Sequence, residues 1–396
     1  MKYCKECLYP QNHPLGITFN NDGVCSGCKI HKEKFTLDWK KRFEKLKKIT
    51  TRYKDKSLNG YDCIIPVSGA KDSYFTVYVV TKLLGLNPLL VRYNPHYNSH
   101  VGNRNYAYMK TLFDVDAIDM VVQPQKVKRI THTTLDKLHS IHWHVVAGQS
   151  VFPVQVAVRY KIPLIIWGAH QGVEQVGMYS HEDEVEMTRK YRKEHDLMGM
   201  EAEDFVGING LNTSDLLPFF YPDSKEIEKV GVRGIYLSNY IPWDSKAQHE
   251  LMIEKYNYET APQNRTFDTY NTIDTLHYAD IHDAIKVAKC GYGIATDHAT
   301  REIRWKRISR QEGELLAQYF QSKPLQYNQI FTQWLQVDKP TTINNLLYNY
   351  KTKQSPINQD IATILQKLNF ILTPPKEQIK DKSFTLLEKG FVTNLT

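Results

Sequence analysis

Short apolar runs separated by segments of helical periodicity dominate the middle of the chain. The first run, CIIPV at residues 63–67, predicts a buried strand, and Ser73 to Leu84 predicts a helix that ends before Gly85. The alternation continues with apolar runs at 89–91, 120–122 and 162–167 and helical patterns at 104–113 and 149–160. Strands that alternate with helices predict an α/β fold, in which helices cover both faces of a parallel sheet.

The two ends of the chain have different patterns. The first 31 residues are rich in Cys, Gly, Asn and His and lack periodicity, whereas Phe35 to Tyr53 predicts a charged amphipathic helix. The charged segment from His181 to His195 predicts an exposed helix or an active-site insertion. From Asp280 onward the pattern is mostly helical, and Pro374-Pro375 predicts a late turn.

These patterns divide the chain into four predicted parts. They are a cysteine knuckle at 1–31, a linking helix at 32–58, the α/β domain at 59–250 and a mostly helical region at 251–396 that contributes to the substrate site.

Composition and charge indicate a soluble cytoplasmic protein. The chain has 396 residues and 41% apolar content, which is enough for a packed core. It has no apolar run of about eighteen residues, and its N-terminus does not have the pattern of a secretory signal, so no membrane insertion is expected. The net charge of +8 fits a nucleic acid, a nucleotide or a nucleotide-sugar, or simply a solvated basic surface.

Four of the six cysteines form two close pairs near the N-terminus, Cys4-x2-Cys7 and Cys25-x2-Cys28. Four thiolates at this spacing can enclose a tetrahedral Zn²⁺ and leave no open position, so the predicted role is structural. Free thiols, a redox pair and an iron–sulfur cluster are the alternatives. Cys63 and Cys290 are expected to be buried bystanders.

The residues after the first predicted strand, Ser68-Gly69-Ala70-Lys71-Asp72-Ser73, fit a polyphosphate. A loop between a buried strand and a helix directs backbone N–H groups and the positive helix end at one point. Gly69 allows close approach and the two serines add hydroxyl donors. Lys71 adds a cation, and Asp72 can hold a Mg²⁺ that neutralises departing pyrophosphate.

This hexapeptide does not match GxxxxGK[ST], and it resembles the SGGxDS PP-loop of the ATP pyrophosphatase superfamily. That resemblance implies cleavage of ATP between the α and β phosphates, with transfer of AMP to a substrate oxygen. Ala70 stands where the superfamily usually has a second glycine. If that position requires a positive φ, the alanine costs on the order of 1 kcal/mol.

Longer segments resemble the N-acetyl sugar amidotransferases of surface-polysaccharide and pseudaminic-type sugar pathways. The resemblance extends over almost the whole chain and rests on the cysteine knuckle, the loop and four further segments: residues 156–168 (VAVRYKIPLIIWG), 186–189 (EMTR), 240–248 (YIPWDSKAQ) and 293–304 (GIATDHATREIR). One departure is Ala169-His170 after Gly168, where an acidic residue is expected.

The resemblance implies conversion of an acetamido group into an acetamidino group on a nucleotide-sugar. The acetamido oxygen attacks the α-phosphorus of ATP, and ammonia then displaces AMP. The chain shows no cysteine suited to glutaminase chemistry. A separate glutaminase is therefore the expected ammonia source, and the resemblance implies a partner similar to the glutaminase and cyclase pair of histidine biosynthesis.

The remaining candidate site residues are predicted from their chemistry within these segments. Gly168 is expected at the nucleotide, Lys246 at the ATP phosphates, and Arg189 and Arg192 at the nucleotide part of the sugar donor. Trp243 is a candidate for ring stacking, and each of these side chains could instead be an ordinary surface cation or core aromatic. The dense group of ionisable residues near 300 suggests a site with a general base, and its members are Asp297, His298, Glu302 and Arg304. Asp297 could instead merely pair with Arg301.

Two other functions fit parts of the pattern. A tRNA-modifying PP-loop enzyme of the thiolase type also combines a zinc knuckle with this loop, but Cys63 and Cys290 do not form the expected CxxC pair, and nucleic acid is not the expected partner. A non-catalytic adaptor that only binds nucleotide is the third possibility, and Ala70 favours it.

Overall fold

The computed structural model describes residues 2–56, 59–336 and 358–373, and the backbone of two short antiparallel strands, Thr385–Leu387 and Gly390–Val392. Five parallel strands form the central sheet: β1 (Cys63–Pro66), β2 (Pro88–Asn94), β3 (Ala117–Val121), β4 (Leu164–Trp167) and β5 (Arg233–Tyr236). Their order is β3-β2-β1-β4-β5. The predicted parallel α/β sheet is confirmed.

The described part of the chain contains fifteen α-helices that we label α1 to α15, several of them single turns, and a sixteenth at Gln359–Leu368. The labelled ones are α1 (Ser26–Glu33), α2 (Trp39–Thr51), α3 (Lys71–Tyr78), α4 (His100–Phe113), α5 (Pro124–Leu138), α6 (Trp143–Tyr160), α7 (Gln171–Glu174), α8 (Arg189–Tyr191), α9 (Thr213–Leu216), α10 (Ser224–Val230), α11 (Ser245–Tyr256), α12 (Leu276–Cys290), α13 (Ile294–Arg304), α14 (Arg310–Gln321) and α15 (Asn328–Leu335).

Helices cover both faces of the sheet because successive strand residues point to opposite sides. Cys63 and Ile65 of β1 pack in a core with residues of α3, α4 and α11. Ile64, between them, packs on the other face against residues of α6. All three side chains are fully buried, so β1 is the interior strand that the uninterrupted apolar run predicted.

Several elements differ from the predictions for physical reasons. The strand β5 was not predicted because it lies at the sheet edge and mixes Arg233 and Tyr236 with apolar residues. The predicted helix from Ser73 to Leu84 begins at Lys71 and passes into a π-helical turn at Val79–Leu83. The helix α6 begins at Trp143, earlier than predicted, and includes Pro153.

The amphipathic helix predicted from Phe35 to Tyr53 is present as α2 but is shorter, at Trp39–Thr51. The helix α1 ends at Glu33, and α2 begins only after Asp38, whose side chain caps it by accepting from the Lys41 amide. Residues 181–195 form short turns instead of one exposed helix.

The C-terminal region is mostly helical, as expected. Helices α13 and α14 share a core with the helix Gln359–Leu368. Pro374-Pro375 lies outside the described residues, and the predicted domain boundaries stay a prediction. Within the described ranges, every helix is too short or too polar to cross a bilayer.

Candidate functional site

The loop between β1 and α3 places its one left-handed residue at Gly69, whose φ is +96°. A side chain there would meet Tyr106 Cβ at 3.0 Å and the Gly102 carbonyl oxygen at 3.1 Å. Ala70 instead has φ −81° and ψ 175°, an ordinary extended conformation. The possible strain at Ala70 is therefore absent, and the support that this residue gave to a non-catalytic adaptor disappears with it.

Ala70 also leaves the start of α3 without a side-chain cap. Serine, aspartate and asparagine are the usual residues at this position, and their side chains bond to the first helix amides. With alanine, no side chain at the cap competes for the Lys71 and Asp72 amides, which stay available for an anion, whereas the Ser73 and Tyr74 amides donate to the Ala70 carbonyl. Ser68 shapes the loop from behind, because its hydroxyl accepts from the Ala70 amide at 3.2 Å and its own amide donates to Ser73 Oγ at 2.9 Å.

Lys71 and Asp72 form an ion pair at the first turn of α3. The Lys71 side chain is only 4% exposed, with its ammonium 5.7 Å from the centre of the Tyr270 ring. The Asp72 side chain is 48% exposed, so its carboxylate remains accessible to a ligand.

A cavity of about 370 Å³ lies beyond the carboxyl ends of β1 and β4. The chain runs from β1 to β3 on one side of the sheet and from β4 to β5 on the other, so this is the point where strand order reverses. Ligands of open α/β sheets bind at such a point. We call it the switch-point cavity, and its walls include Ser68, Asp72, Ser73, Gly168, His170 and Arg192.

Residues that line the switch-point cavity carry buried polar atoms without partners. Both ring nitrogens of His170, Nε and Nη1 of Arg192, and Nε1 of Trp167 have no hydrogen-bond partner among the described residues. Each such group costs about 1–3 kcal/mol when left unpaired. Rotation of these side chains toward a polar ligand would offset this cost, which favours a binding role for the cavity.

The Asp196 carboxyl adds a titratable group to the wall of the same cavity. Burial raises the pKa of Asp196 to about 7, although the Arg192 guanidinium acts in the opposite direction.

A second cavity, of about 330 Å³, lies between the cysteine-rich N-terminus, the residues after β4, and α13. We call it the knuckle cavity. Its walls include Tyr9 and Lys34 from the N-terminal part, Lys71, and Asp297 and Arg304 from α13. Asp72, Ala169 and Gln171 line both cavities. The two cavities therefore meet at the start of α3.

Ion pairs hold the charges around the knuckle cavity. The Lys34 ammonium lies 2.5 Å from the Glu174 carboxylate and donates to the Trp243 carbonyl at 2.8 Å. Burial raises the pKa of Glu174, but Lys34 and His181 outweigh it and lower the value to about 2. The Glu174 carboxylate therefore stays ionised at neutral pH.

Asp297 and His298 lie side by side on α13 but in different networks. Asp297 pairs with Lys286 and accepts from the Tyr9 hydroxyl at 3.0 Å and from Gln175 at 3.2 Å. The alternative pairing of Asp297 with Arg301 is not seen, since Arg301 bonds Asp268 and Glu302.

His298 Nδ1 lies 2.6 Å from Thr266 Oγ1, and Nε2 lies 3.3 Å from Asn271 Nδ2. Burial lowers the pKa of His298 to about 4, so the ring is neutral near pH 7.

The structure brings most of the predicted site residues to the two cavities. Ser68, Asp72, Ser73, Gly168 and Arg192 line the switch-point cavity. The knuckle cavity is lined by Lys71, Asp72, Trp243, Asp297, His298 and Arg304. The Trp243 indole is 4% exposed and packs under Gly168, where a Cβ would lie 3.1 Å from the ring.

Five predicted residues outside the cysteine cluster line neither cavity, namely Gly69 and Ala70 within the loop and Lys246, Arg189 and Glu302 in other contacts. Lys246 pairs with Glu250 on its own helix. Arg189 is half-exposed and bonds the Glu201 carboxylate, which Arg192 also contacts. Glu302 is fully buried between Arg301 and Arg307.

Several other residues at the site carry no recognisable signal in the sequence. Tyr9 and Lys34 come from the N-terminal part, where only the cysteines carried recognisable chemistry. Gln175 lies in the segment after β4, where Ala169-His170 stands in place of the expected acidic residue. Asp274 lies behind the loop, where burial raises its pKa to about 6 and Ser68 bonds to its side chain.

The four knuckle cysteines converge on one point. Their sulfur atoms all lie within 4.8 Å of one another, and all four side chains are buried. The Cys4 sulfur accepts from the amides of Glu6, Cys7 and Cys25 at 3.3–3.4 Å. This donor set and its N–H bonds fit a tetrahedral thiolate-bound metal such as Zn²⁺.

The other two cysteines lie away from both cavities. Cys63 is fully buried in β1, and burial raises the pKa of its thiol. Cys290 ends α12. Neither is placed to supply the thiol chemistry of a thiolase or a glutaminase.

Comparison with known proteins gives one informative match. Residues 264–346 match the family model described as "LPS biosynthesis protein WbpG-like, C-terminal domain". We call this matched region the WbpG-like domain. The predicted resemblance to a surface-polysaccharide family is confirmed for this region.

The other comparisons add little. No curated protein matches the chain. Among solved structures, the NMN synthetase from Francisella tularensis aligns with 59% of this chain and 98% of its own, at 13% identity and a TM-score of 0.26. A TM-score this low carries no argument about this chain.

The WbpG-like domain includes α12 to α15, of which α13 forms one wall of the knuckle cavity. Asp297, His298 and Arg304 therefore belong to the region that matches the family. The WbpG-like domain and the first turn of α3 both contribute residues to the walls of the knuckle cavity.

The two loop positions should respond differently to exchange. Gly69→Ala should destabilise the protein by about 1–2 kcal/mol, because alanine is strained at φ +96° and meets Tyr106. Ala70→Gly should change stability by less than about 0.5 kcal/mol, since better capping and greater chain entropy oppose each other. Urea unfolding measures both. Equal effects of the two exchanges would contradict the loop geometry.

The Asp196 carboxyl should make stability depend on pH. Its pKa in the folded protein, about 7, lies above the value of about 4 expected in the unfolded chain. The unfolded state therefore ionises first, and the stability due to this group is lost as pH rises from 4 to 7. Relative to wild type, Asp196→Asn should gain about 2 kcal/mol across this window, allowing for partial exposure.

Urea unfolding at pH 4, 6 and 8 measures this gain. Glu203→Gln, which removes an exposed carboxylate from the same region, is the matched control and should not reproduce the trend. A constant difference between Asp196→Asn and wild type at the three pH values would contradict the assignment.

Proposed function

We propose that this chain is a cytoplasmic, ATP-dependent amidotransferase of surface-polysaccharide biosynthesis, which converts an acetamido group of a nucleotide-sugar into an acetamidino group. The observation that supports it best is the position of Asp72. This carboxylate lines both cavities at the first turn of α3. A reaction between two bound substrates needs such a meeting point.

The switch-point cavity suits the nucleotide. The uncapped start of α3 offers amides and a positive helix end to phosphates. His170, Arg192 and Trp167 line this cavity, and rotation of their side chains would bring their unpartnered nitrogens to the rest of a polar ligand. In this proposal, adenosine occupies the switch-point cavity and the phosphates lie along the loop.

The knuckle cavity suits the sugar acceptor. Lys34, Lys71, Arg301 and Arg304 place four cations on its walls, against the carboxylates of Asp72, Glu174 and Asp297. This balance fits an anionic substrate such as a nucleotide-sugar. The WbpG-like domain contributes Arg301 and Arg304 to these walls, and its family name refers to LPS biosynthesis.

The proposed reaction has two steps. First, the acetamido oxygen attacks the α-phosphorus of ATP, the bond to the β-phosphate oxygen breaks, and pyrophosphate leaves. Ammonia then adds to the imidate carbon, the C–O bond breaks and AMP leaves with the former amide oxygen. The chain's contribution is to align the reactants and stabilise charge at phosphorus, for which Lys71 and the α3 amides are placed.

Asp72 would hold the Mg²⁺ of the nucleotide, which would neutralise charge on the departing pyrophosphate. Its half-exposed carboxylate fits that role, because the contact with Lys71 is made through one oxygen, Oδ1.

Ammonia must come from elsewhere, and it must reach the imidate carbon as NH3, not as ammonium. His298 lines the knuckle cavity, but with a pKa of about 4 and both ring nitrogens in hydrogen bonds it is too weak a base to take a proton from ammonium, so we infer that ammonia arrives there unprotonated. Asp297 already accepts from Tyr9, Gln175 and Lys286, and its role is to hold the cavity wall. A separate glutaminase is the proposed source of ammonia.

Mass spectrometry of candidate substrates tests the proposal. UDP- and CMP-linked N-acetyl sugars are incubated with the protein, ATP, Mg²⁺ and ammonium. Exchange of O for NH should lower the sugar mass by about one unit, with one AMP and one pyrophosphate formed per product. Release of ADP and phosphate, or an unchanged sugar mass with every candidate, would contradict the proposal.

Asp72→Ala should abolish the product, with at least a thousandfold lower rate, because the loop loses its metal-binding carboxylate. Glu226→Ala is the matched control, since Glu226 is an exposed carboxylate in the first turn of α10. The control should keep the wild-type rate, and circular dichroism should show that both variants fold.

A further inference from the structure

The cysteine knuckle is built into the wall of the knuckle cavity. Tyr9 follows the first cysteine pair and lines the cavity directly. The Ser26 hydroxyl, within the second pair, donates to the Val176 carbonyl at 2.6 Å. On the other side, the Leu8 amide donates to Thr300 Oγ1 at 3.4 Å. The knuckle therefore contacts both the segment after β4 and α13.

Arg304, the last residue of α13, joins these parts. Its guanidinium donates to the Cys25 sulfur at 3.6 Å and to the carbonyls of Glu174 and Gln175 at 3.2 and 2.7 Å. It also lies 5.3 Å from the centre of the Tyr9 ring. One buried side chain thus contacts a metal-ligand candidate and two backbone groups of the cavity wall.

Gly27 shows how close this approach is. Gly27 lies between Ser26 and Cys28, and a Cβ there would collide with the Arg304 guanidinium and lie 2.5 Å from the Gln175 carbonyl oxygen. Only glycine lets the second cysteine pair, the guanidinium and the segment after β4 meet. The close contact between Arg304 and the second cysteine pair therefore requires glycine at position 27.

A thiolate-bound metal would carry excess negative charge, since four thiolates outweigh a divalent cation. Hydrogen bonds from outside the ligand set neutralise such charge and orient the ligands, and their loss typically lowers metal affinity 10–100-fold. Arg304 is a charged side chain that donates to a cysteine sulfur in this cluster.

We infer that Arg304 is a positioning residue, which couples the four-cysteine cluster to residues 171–177 and thereby makes metal binding set the shape of the knuckle cavity. The cavity's role in acceptor binding rests on the proposed function, whereas the coupling itself does not.

Metal release and hydrogen exchange in the full-length chain test this coupling. The variants are Arg304→Met and, in case the first does not fold, Arg304→Lys. Zinc-loaded protein is treated with a chromogenic chelator, and amide exchange is followed by mass spectrometry. Arg304→Met should release zinc about tenfold faster, and residues 171–177 should exchange faster in the zinc-loaded state.

Removing zinc from the wild type should give the same exchange pattern, with β1 unchanged. Arg310→Met is the matched control, because Arg310 reaches the knuckle at the Cys4 carbonyl and does not line the knuckle cavity. It should keep wild-type release and exchange.

Wild-type release and exchange in the Arg304 variants, or exchange at 171–177 that does not respond to zinc, would overturn the inference. Neither readout requires adenylation, so failure here is separate from failure of the proposed reaction.

Discussion

The burial of β1 between β2 and β4 is the constraint on which the site depends. A strand paired on both edges and packed on both faces cannot shift, so the chain must leave the sheet at one fixed point. It leaves through Gly69, whose positive φ is compatible with the close approach of Tyr106 and Gly102. The start of α3 is thereby held where the strand order reverses and where the two cavities meet.

The second half of the site depends on contacts between distant parts of the chain. The N-terminal knuckle, the segment after β4 and the WbpG-like domain meet around one cavity. Arg304 contacts the knuckle and the segment after β4 simultaneously. The cysteine module, whose small core also includes Val176 and Tyr292 from distant parts of the chain, thus has a place in the wall of a cavity, beyond stabilising its own thirty residues.

The sequence was sufficient for features that local chemistry determines. The apolar run of β1, the loop after it and the paired cysteines predicted the sheet, the switch to α3 and the four-sulfur cluster. It was insufficient where tertiary packing decides. Lys34 and Tyr9 carry no motif and reach the site only because the knuckle docks there, and Lys246 lies on α11 next to Glu250 instead of at the loop. Backbone angles also cannot be read from residue types. Only the structure shows that Ala70 has an ordinary extended conformation without strain.

The central claim is that the acetamido oxygen of the acceptor becomes an oxygen of AMP. It is tested most directly by labelling that oxygen with ¹⁸O and analysing the products by mass spectrometry. The account predicts the label in AMP, with none in pyrophosphate and none left in the sugar product. Label in pyrophosphate or inorganic phosphate, or label retained in the acceptor, would contradict it.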